Sequence, residues 1–128
     1  MAKRRKAKTV LIIEDEAQVR TFASRVLELE GYQVLQAEDG DTGLKLARQS
    51  QVALVLLDLR LPGRDGWAVL TQMKSEPGLS AIPVVVFTAS AAVVQRDKAL
   101  SMGAVGYLVK PLSAARLRET VAQILRRE

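Results

Sequence analysis

VLIIEDE, Val10 to Glu16, is the stretch that decides the fold. Val10, Leu11, Ile12 and Ile13 form a continuous apolar run rich in β-branched residues, the pattern of a strand covered on both faces in a parallel sheet. Such a strand stops where the chain leaves the core. Glu14, Asp15 and Glu16 are therefore expected at or just past its carboxyl end, where an open α/β sheet places its ligand crevice. Like charges this close raise one another's pKa unless something positive separates them. An acid ahead of a helix is ordinary capping chemistry, and Glu16 is read as such a cap. Glu14 and Asp15 take their meaning from the rest of the chain.

Downstream, apolar runs alternate with amphipathic stretches. Val19, Phe22, Ala23 and Val26 recur at helical spacing up to Gly31, a natural stop. Tyr32 to Ala37 reads as a brief strand, Glu38 to Gly40 as a turn, and Asp41 onward as a second helix with Leu44 and Ala47 on one face. Val52 to Leu57 is a third strand ending at Asp58, followed by the loop LRLPGRDG with its turn formers Pro62, Gly63 and Gly66. A helix from Trp67 to Ser75 faces Val69, Leu70 and Met73 inward, and Ile82 to Phe87 is a strand ending at Thr88. A helix from about Ala91 to Met102 precedes Gly103, a C-cap signal. Gly106 to Val109 is a short fifth strand ending in Lys110-Pro111, and Ser113 caps a last helix with Leu117, Val121, Ile124 and Leu125 in one stripe. Five strands alternating with five helices mean an α/β fold, a parallel sheet with helices on both faces.

The chain has 128 residues, enough for one domain with a real core, and neither cysteine nor histidine. Disulfides, thiolate or imidazole metal sites and Ser-His or Cys-His catalysis are excluded, which leaves oxygen ligands and hard cations such as magnesium, manganese or calcium. No apolar run approaches the roughly 20 residues of a membrane span, and MAKRRKAK lacks the hydrophobic segment of a secretory signal, so the chain reads as cytoplasmic. The net charge of +5 comes from Lys3, Arg4, Arg5, Lys6 and Lys8. Residues 1–8 are thus read as a basic, solvated tail and 9–128 as the domain.

Parallel strands share one carboxyl edge, so Glu14, Asp15, Asp58, Thr88 and Lys110 are expected to converge there. Three carboxylates, completed by a carbonyl and water, suit an octahedral magnesium ion. A hydroxyl and an ammonium beside them can neutralise phosphoryl oxygens during in-line transfer, with Asp58 as the nucleophile of an acyl phosphate. The alternative is a set of mutually satisfied buried salt bridges around Lys110, although three carboxylates against one ammonium leave negative charge to desolvate.

On these residues the chain from about Thr9 to its end resembles the receiver domain of two-component response regulators. The motifs that carry the resemblance are the acidic pair after the first strand, LLDLRLPGRDG, FTA, and GAVGYLVKP. The resemblance implies a flavodoxin-like sheet of order 2-1-3-4-5, Asp58 as phosphoacceptor, and magnesium held by Asp15, by Glu14 through water, by Asp58 and by the backbone carbonyl of Arg60. It further implies that Thr88 moves to meet the phosphoryl group, that Lys110 pairs with it, that Tyr107 rotates inward with Thr88, and that Lys110-Pro111 is cis. A histidine kinase or phosphotransfer protein would be the donor. A downstream protein would read the face made by the fourth helix, fifth strand and fifth helix, where Ala91, Ala92, Val93 and Val94 form an apolar patch.

Such a domain assists its own phosphorylation and dephosphorylation and is otherwise no enzyme. The Arg60 side chain is expected to touch the site and slow attack by water. The chain is expected to be a stand-alone receiver or a piece of a longer regulator, monomeric or dimerising on phosphorylation. Ala104-Val105-Gly106 stands where a DNA-binding subgroup carries acids, which argues against that subgroup's salt-bridged dimer. Rival readings are a receiver-like module that works without phosphorylation, and a phosphatase with an Asp nucleophile, against which Arg60 stands where a second acid is needed. A nucleotide-binding module lacks its glycine motifs. Nucleic-acid binding would run through the basic tail alone and weaken steeply with salt.

Overall fold

Val10, Leu11, Ile12 and Ile13 are wholly buried in the computed structural model, which describes residues 7–61, 63, 65–89 and 92–126. They form most of β1 (Thr9–Ile13), followed by α1 (Ala17–Leu29), β2 (Gln33–Ala37), α2 (Gly40–Gln49), β3 (Leu54–Asp58), α3 (Gly66–Ser75), β4 (Val84–Thr88), α4 (Val93–Ser101), β5 (Gly106–Val109) and α5 (Ala114–Leu125). The five strands are parallel in the order β2-β1-β3-β4-β5, as expected.

Strand alternation divides the core into two layers. Leu11, Ile13, Val55, Leu57, Val84 and Val86 face Leu44 and Ala47 of α2, Val69, Leu70 and Met73 of α3, and Ala99 of α4. On the other side, Val10, Ile12, Leu54, Leu56, Val85 and Phe87 face Ala23, Val26 and Leu27 of α1 and Leu117, Val121 and Leu125 of α5. Each fully buried Leu, Ile or Val of these layers contributes about 1.5–3 kcal/mol. The layers leave the strand ends as the place where polar groups can gather.

Ser113 and Gly103 act as read, and Asp39 and Asp65 add caps that the sequence reading did not assign. Asp39 accepts from the Thr42 amide ahead of α2, Asp65 from the Ala68 amide ahead of α3, and Ser113 from the Arg116 amide ahead of α5. Gly103 follows α4 at φ +107°, a conformation that closes the helix and that a side chain would strain.

Several expectations are corrected. Phe22 was assigned to the inward face of the first helix, but it is 41% exposed, because the buried stripe runs through Ala23, Val26 and Leu27. The third strand begins at Leu54 and not Val52, and the fourth at Val84 and not Ile82, since Pro83 has no amide to donate and only accepts, from Val55. The fourth helix spans Val93–Ser101 and is shorter than the sequence suggests. Lys8, counted with the solvated tail, donates from Nζ to the carbonyl of Leu125 at 2.8 Å and so closes the carboxyl end of α5. The readings of Lys3, Arg4, Arg5, Lys6, Pro62 and Ala91 lie outside the described residues. No helix among the described residues is long and apolar enough to cross a membrane.

Candidate functional site

Glu14 follows β1, Asp58 ends β3, Thr88 ends β4 and Lys110 follows β5, so the topology brings these four to one edge of the sheet. Glu14, Asp58 and Thr88 are buried while Asp15 is exposed. Carboxylate oxygens of Glu14, Asp15 and Asp58 lie within 4.8 Å of one another. The Lys110 ammonium enters this group, with Nζ 2.6 Å from Glu14 Oε1, 3.0 Å from Asp58 Oδ2 and 3.3 Å from Glu16 Oε1. It also stands 5.3 Å from the centre of the Phe87 ring.

Backbone contacts hold the rest. Glu14 Oε2 accepts the Glu16 amide at 2.9 Å, and Asp58 Oδ1 accepts the Arg60 amide at 3.0 Å. The Lys110 amide donates to the Thr88 carbonyl at 2.8 Å, which ties β5's exit to the end of β4, and the Lys110-Pro111 bond is cis. Gly66 opens α3 directly against the acceptor loop: a Cβ there would collide with the Asp58 carbonyl oxygen and the Leu59 Cα. Only glycine lets that helix approach so closely.

The electrostatics follow from three acids sharing one ammonium. Burial pushes the Glu14 carboxyl up, the Lys110 ammonium and the Glu16 amide pull it only part of the way back, and it stands at about 7 against an ordinary 4.5. Burial alone would lower Lys110, but its bonds to Glu14 and Asp58 outweigh that and hold its pKa above the ordinary value. The ammonium has three carboxylate partners, whereas Glu14, Asp58 and Glu16 share that one cation. Besides that ammonium, Glu14 Oε1 has no hydrogen-bond partner among the described residues. An under-partnered buried oxygen among all-oxygen donors is what a hard divalent cation relieves, so these residues fit magnesium.

Glu16 does not act as the expected cap. It occupies the N-cap position of α1 without a side-chain bond to that helix, and its carboxylate turns to Lys110 instead. The salt-bridge cluster weighed as an alternative is present around Lys110, but it leaves excess negative charge. Arg60 is exposed, and its bond to Asp58 is made by its amide. Tyr107 pairs with Val86 and packs on the α2–α4 layer, the face to which Val84, Val86 and, by alternation, Thr88 point. Sequence reasoning missed Arg20, whose Nη1 donates to the Glu14 carbonyl at 2.7 Å and lies 3.4 Å from the Asp15 carbonyl. Its one signal was a cation a single turn after an acidic loop.

The family model of the response regulator receiver domain matches residues 10–122. The chain belongs to that family. This receiver is 36% identical over 118 residues to the probable transcriptional regulator ycf27 of Porphyridium aerugineum, covering 92% of this chain and 48% of that protein. It is 36% identical over 121 residues to the phosphate regulon transcriptional regulatory protein PhoB of Escherichia coli, covering 94% of this chain and 53% of that protein. The receiver thus spans about half the length of the curated relatives it matches. Among solved structures, a putative response regulator of Chloroflexus aurantiacus superposes with a TM-score of 0.89 at 28% identity, covering 94% of this chain and 99% of that one. The receiver domain of a sensor histidine kinase from Pseudomonas aeruginosa, with a magnesium ion coordinated in its active-site cleft, gives 0.86 at 26% identity over 94% and 99% of the two chains. Receivers are signalling switches of two-component systems and not classical enzymes.

Proposed function

We propose that this receiver is a phosphorylation-controlled switch whose acceptor is Asp58. The observation that carries the reading is the buried Asp58 carboxylate, 3.0 Å from the Lys110 ammonium and grouped with two more carboxylates at one sheet edge. A carboxylate oxygen of Asp58 attacks the phosphorus of a phosphoimidazole on a histidine kinase or phosphotransfer protein. The new P–O bond forms as the P–N bond breaks, and the imidazole nitrogen leaves with the electron pair. Lys110 and the Thr88 hydroxyl neutralise the phosphoryl oxygens. Glu14, Asp15, Asp58 and the Arg60 carbonyl would hold magnesium, which supplies charge compensation for the transferring group. Water attack on the same phosphorus later releases phosphate and restores the carboxylate, a step that the Arg60 side chain slows.

The switch acts through Thr88 and Tyr107. Thr88 moves toward the phosphoryl group, Tyr107 turns inward behind it, and the surface of α4, β5 and α5 changes. Val93 and Val94 at the start of α4 are 58% and 79% exposed, and Val105 just before β5 and Val109 at its end are 51% and 41% exposed, which suits an apolar protein partner there. The protein works in the cytoplasm, where such kinases present their phosphohistidines.

Intact-protein mass after incubation with acetyl phosphate tests the reading. One added phosphoryl group that requires magnesium and is lost in Asp58→Asn is the expected result. A gain that persists in Asp58→Asn would move the acceptor elsewhere, and no gain from either acetyl phosphate or a phosphorylated histidine donor would leave a binding module that works unmodified.

A further inference from the structure

We propose that Arg20 is a positioning residue for the cation site, an inference that rests on the reading of Glu14, Asp15 and Asp58 as magnesium ligands. Arg20 lies on the first turns of α1, where its own amide bonds the Glu16 carbonyl at 3.0 Å. Its guanidinium reaches back over the acidic loop. Nη1 donates to the Glu14 carbonyl at 2.7 Å and lies 3.4 Å from the Asp15 carbonyl, while Nε donates to Gln36 Oε1 at 3.2 Å. One planar fork therefore fastens three elements: the loop that carries the acids, the helix after it and the end of β2.

The chemistry of these bonds matters more than their number. Arg20 bonds carbonyl oxygens of the acidic residues and leaves their carboxylates alone. Lys110 does the reverse, since its ammonium meets Glu14 Oε1, Asp58 Oδ2 and Glu16 Oε1. The two cations thus divide the work: Lys110 occupies ligand oxygens, and Arg20 sets the backbone from which they project. Asp15 is the ligand most dependent on this, because its side chain is exposed while those of Glu14 and Asp58 are buried in the core edge. A guanidinium can hold this geometry through fixed, divergent N–H groups, which a lysine ammonium on a flexible stem cannot reproduce.

Position and charge predict opposite signs, which makes the proposal sharp. A positive charge near a divalent ion repels it, so a residue acting by charge alone would, when removed, let magnesium bind more tightly. A residue acting by position would, when removed, let it bind more weakly. Outer partners that orient ligands change metal affinity by about 10–100-fold, and a partner that acts through the backbone belongs at the low end, about tenfold.

The test is Mn2+ binding to the full chain, read by electron paramagnetic resonance of the free ion, with Mg2+ as competitor and no phosphoryl donor present. Arg20→Ala and Arg20→Lys are both expected to weaken Mg2+ about tenfold. Gln36→Ala, which removes one anchor of the fork, should weaken it less. Thermal unfolding in chelator shows that the variants are folded, and Arg20→Lys, the milder change, decides if Arg20→Ala is not. Equal or tighter binding in Arg20→Lys overturns the proposal. If the parent chain itself binds no Mn2+ or Mg2+, the metal reading fails as well; if the parent binds and the Arg20 variants match it, only this inference fails.

Discussion

The two edges of the sheet handle charge in opposite ways. At the carboxyl edge, Glu14 and Asp58 are buried and share one ammonium with Glu16. At the amino edge, an open groove is lined by Lys8, Thr9, Gln33, Arg48 and Gln51, among others, and Arg48 makes a bidentate pair with Glu76 at 2.8 Å for both bonds. The Arg48–Glu76 pair is charge-matched and partly in water. The Glu14 and Asp58 carboxylates are neither. Burial raises Glu14, whereas the Arg48 and Gln72 bonds lower Glu76 to about 2. The difference teaches where this fold keeps its chemistry: imbalance held out of water answers strongly to a cation or a phosphoryl group, and a satisfied surface pair does not.

Lys110→Ala should disturb the comparison most. It leaves Glu14 and Asp58 buried together without their ammonium, and breaking a buried pair in this way costs about 3–5 kcal/mol, which proton uptake by Glu14 reduces toward the lower figure. The urea midpoint in chelator measures it. An unchanged midpoint would mean the carboxylates are relieved by something other than Lys110.

A change of pH comes next. Folding raises Glu14 from 4.5 to about 7, so between those values the folded chain keeps a proton that the unfolded chain has released. The metal-free protein is therefore expected to lose stability as pH rises through this window, by on the order of 3 kcal/mol, and Glu14→Gln should remove that slope. Mg2+ needs ionised carboxylates and should bind more tightly across the same interval. A flat profile for the parent would place the Glu14 carboxyl near its ordinary value.

Glu76 sharpens the contrast because its sign is reversed. Its pKa falls from 4.5 to about 2, so its contribution is complete above 4.5 and disappears as pH drops toward 2. Glu76→Gln is expected to shift the unfolding midpoint by less than Lys110→Ala, and by an amount that added salt diminishes. A larger shift than that of Lys110→Ala would erase the distinction between the edges. Smallest of all is Val94→Asp. Val94 is 79% exposed, so stability, read from the urea midpoint, should move by less than about 0.5 kcal/mol, while binding at the partner face proposed above is lost.

Much of this was legible in the residue order. Apolar runs that end in Asp58 and Thr88 announce buried parallel strands with a polar edge, because burial on both faces needs an unbroken apolar sequence. Phe22 was misread because a helical period leaves two adjacent choices for the inward stripe, and α1 buries Ala23, Val26 and Leu27. Glu16 was misread because an acid before a helix has a local explanation, and the ammonium that claims it lies ninety-four positions away. Arg20 carried almost no signal, since its partners are backbone carbonyls, which every residue has.

The sequence by itself determined the element order, the two-sided burial of the sheet and the residue types available for chemistry, since these depend on periodicity and composition along the chain. Tertiary structure alone decided the partners: which oxygens meet Lys110, which carbonyls Arg20 holds, and how far burial lifts Glu14. Those are matters of ångströms between distant segments, and a hydrogen bond or an ion pair changes over that distance while a hydrophobic pattern does not.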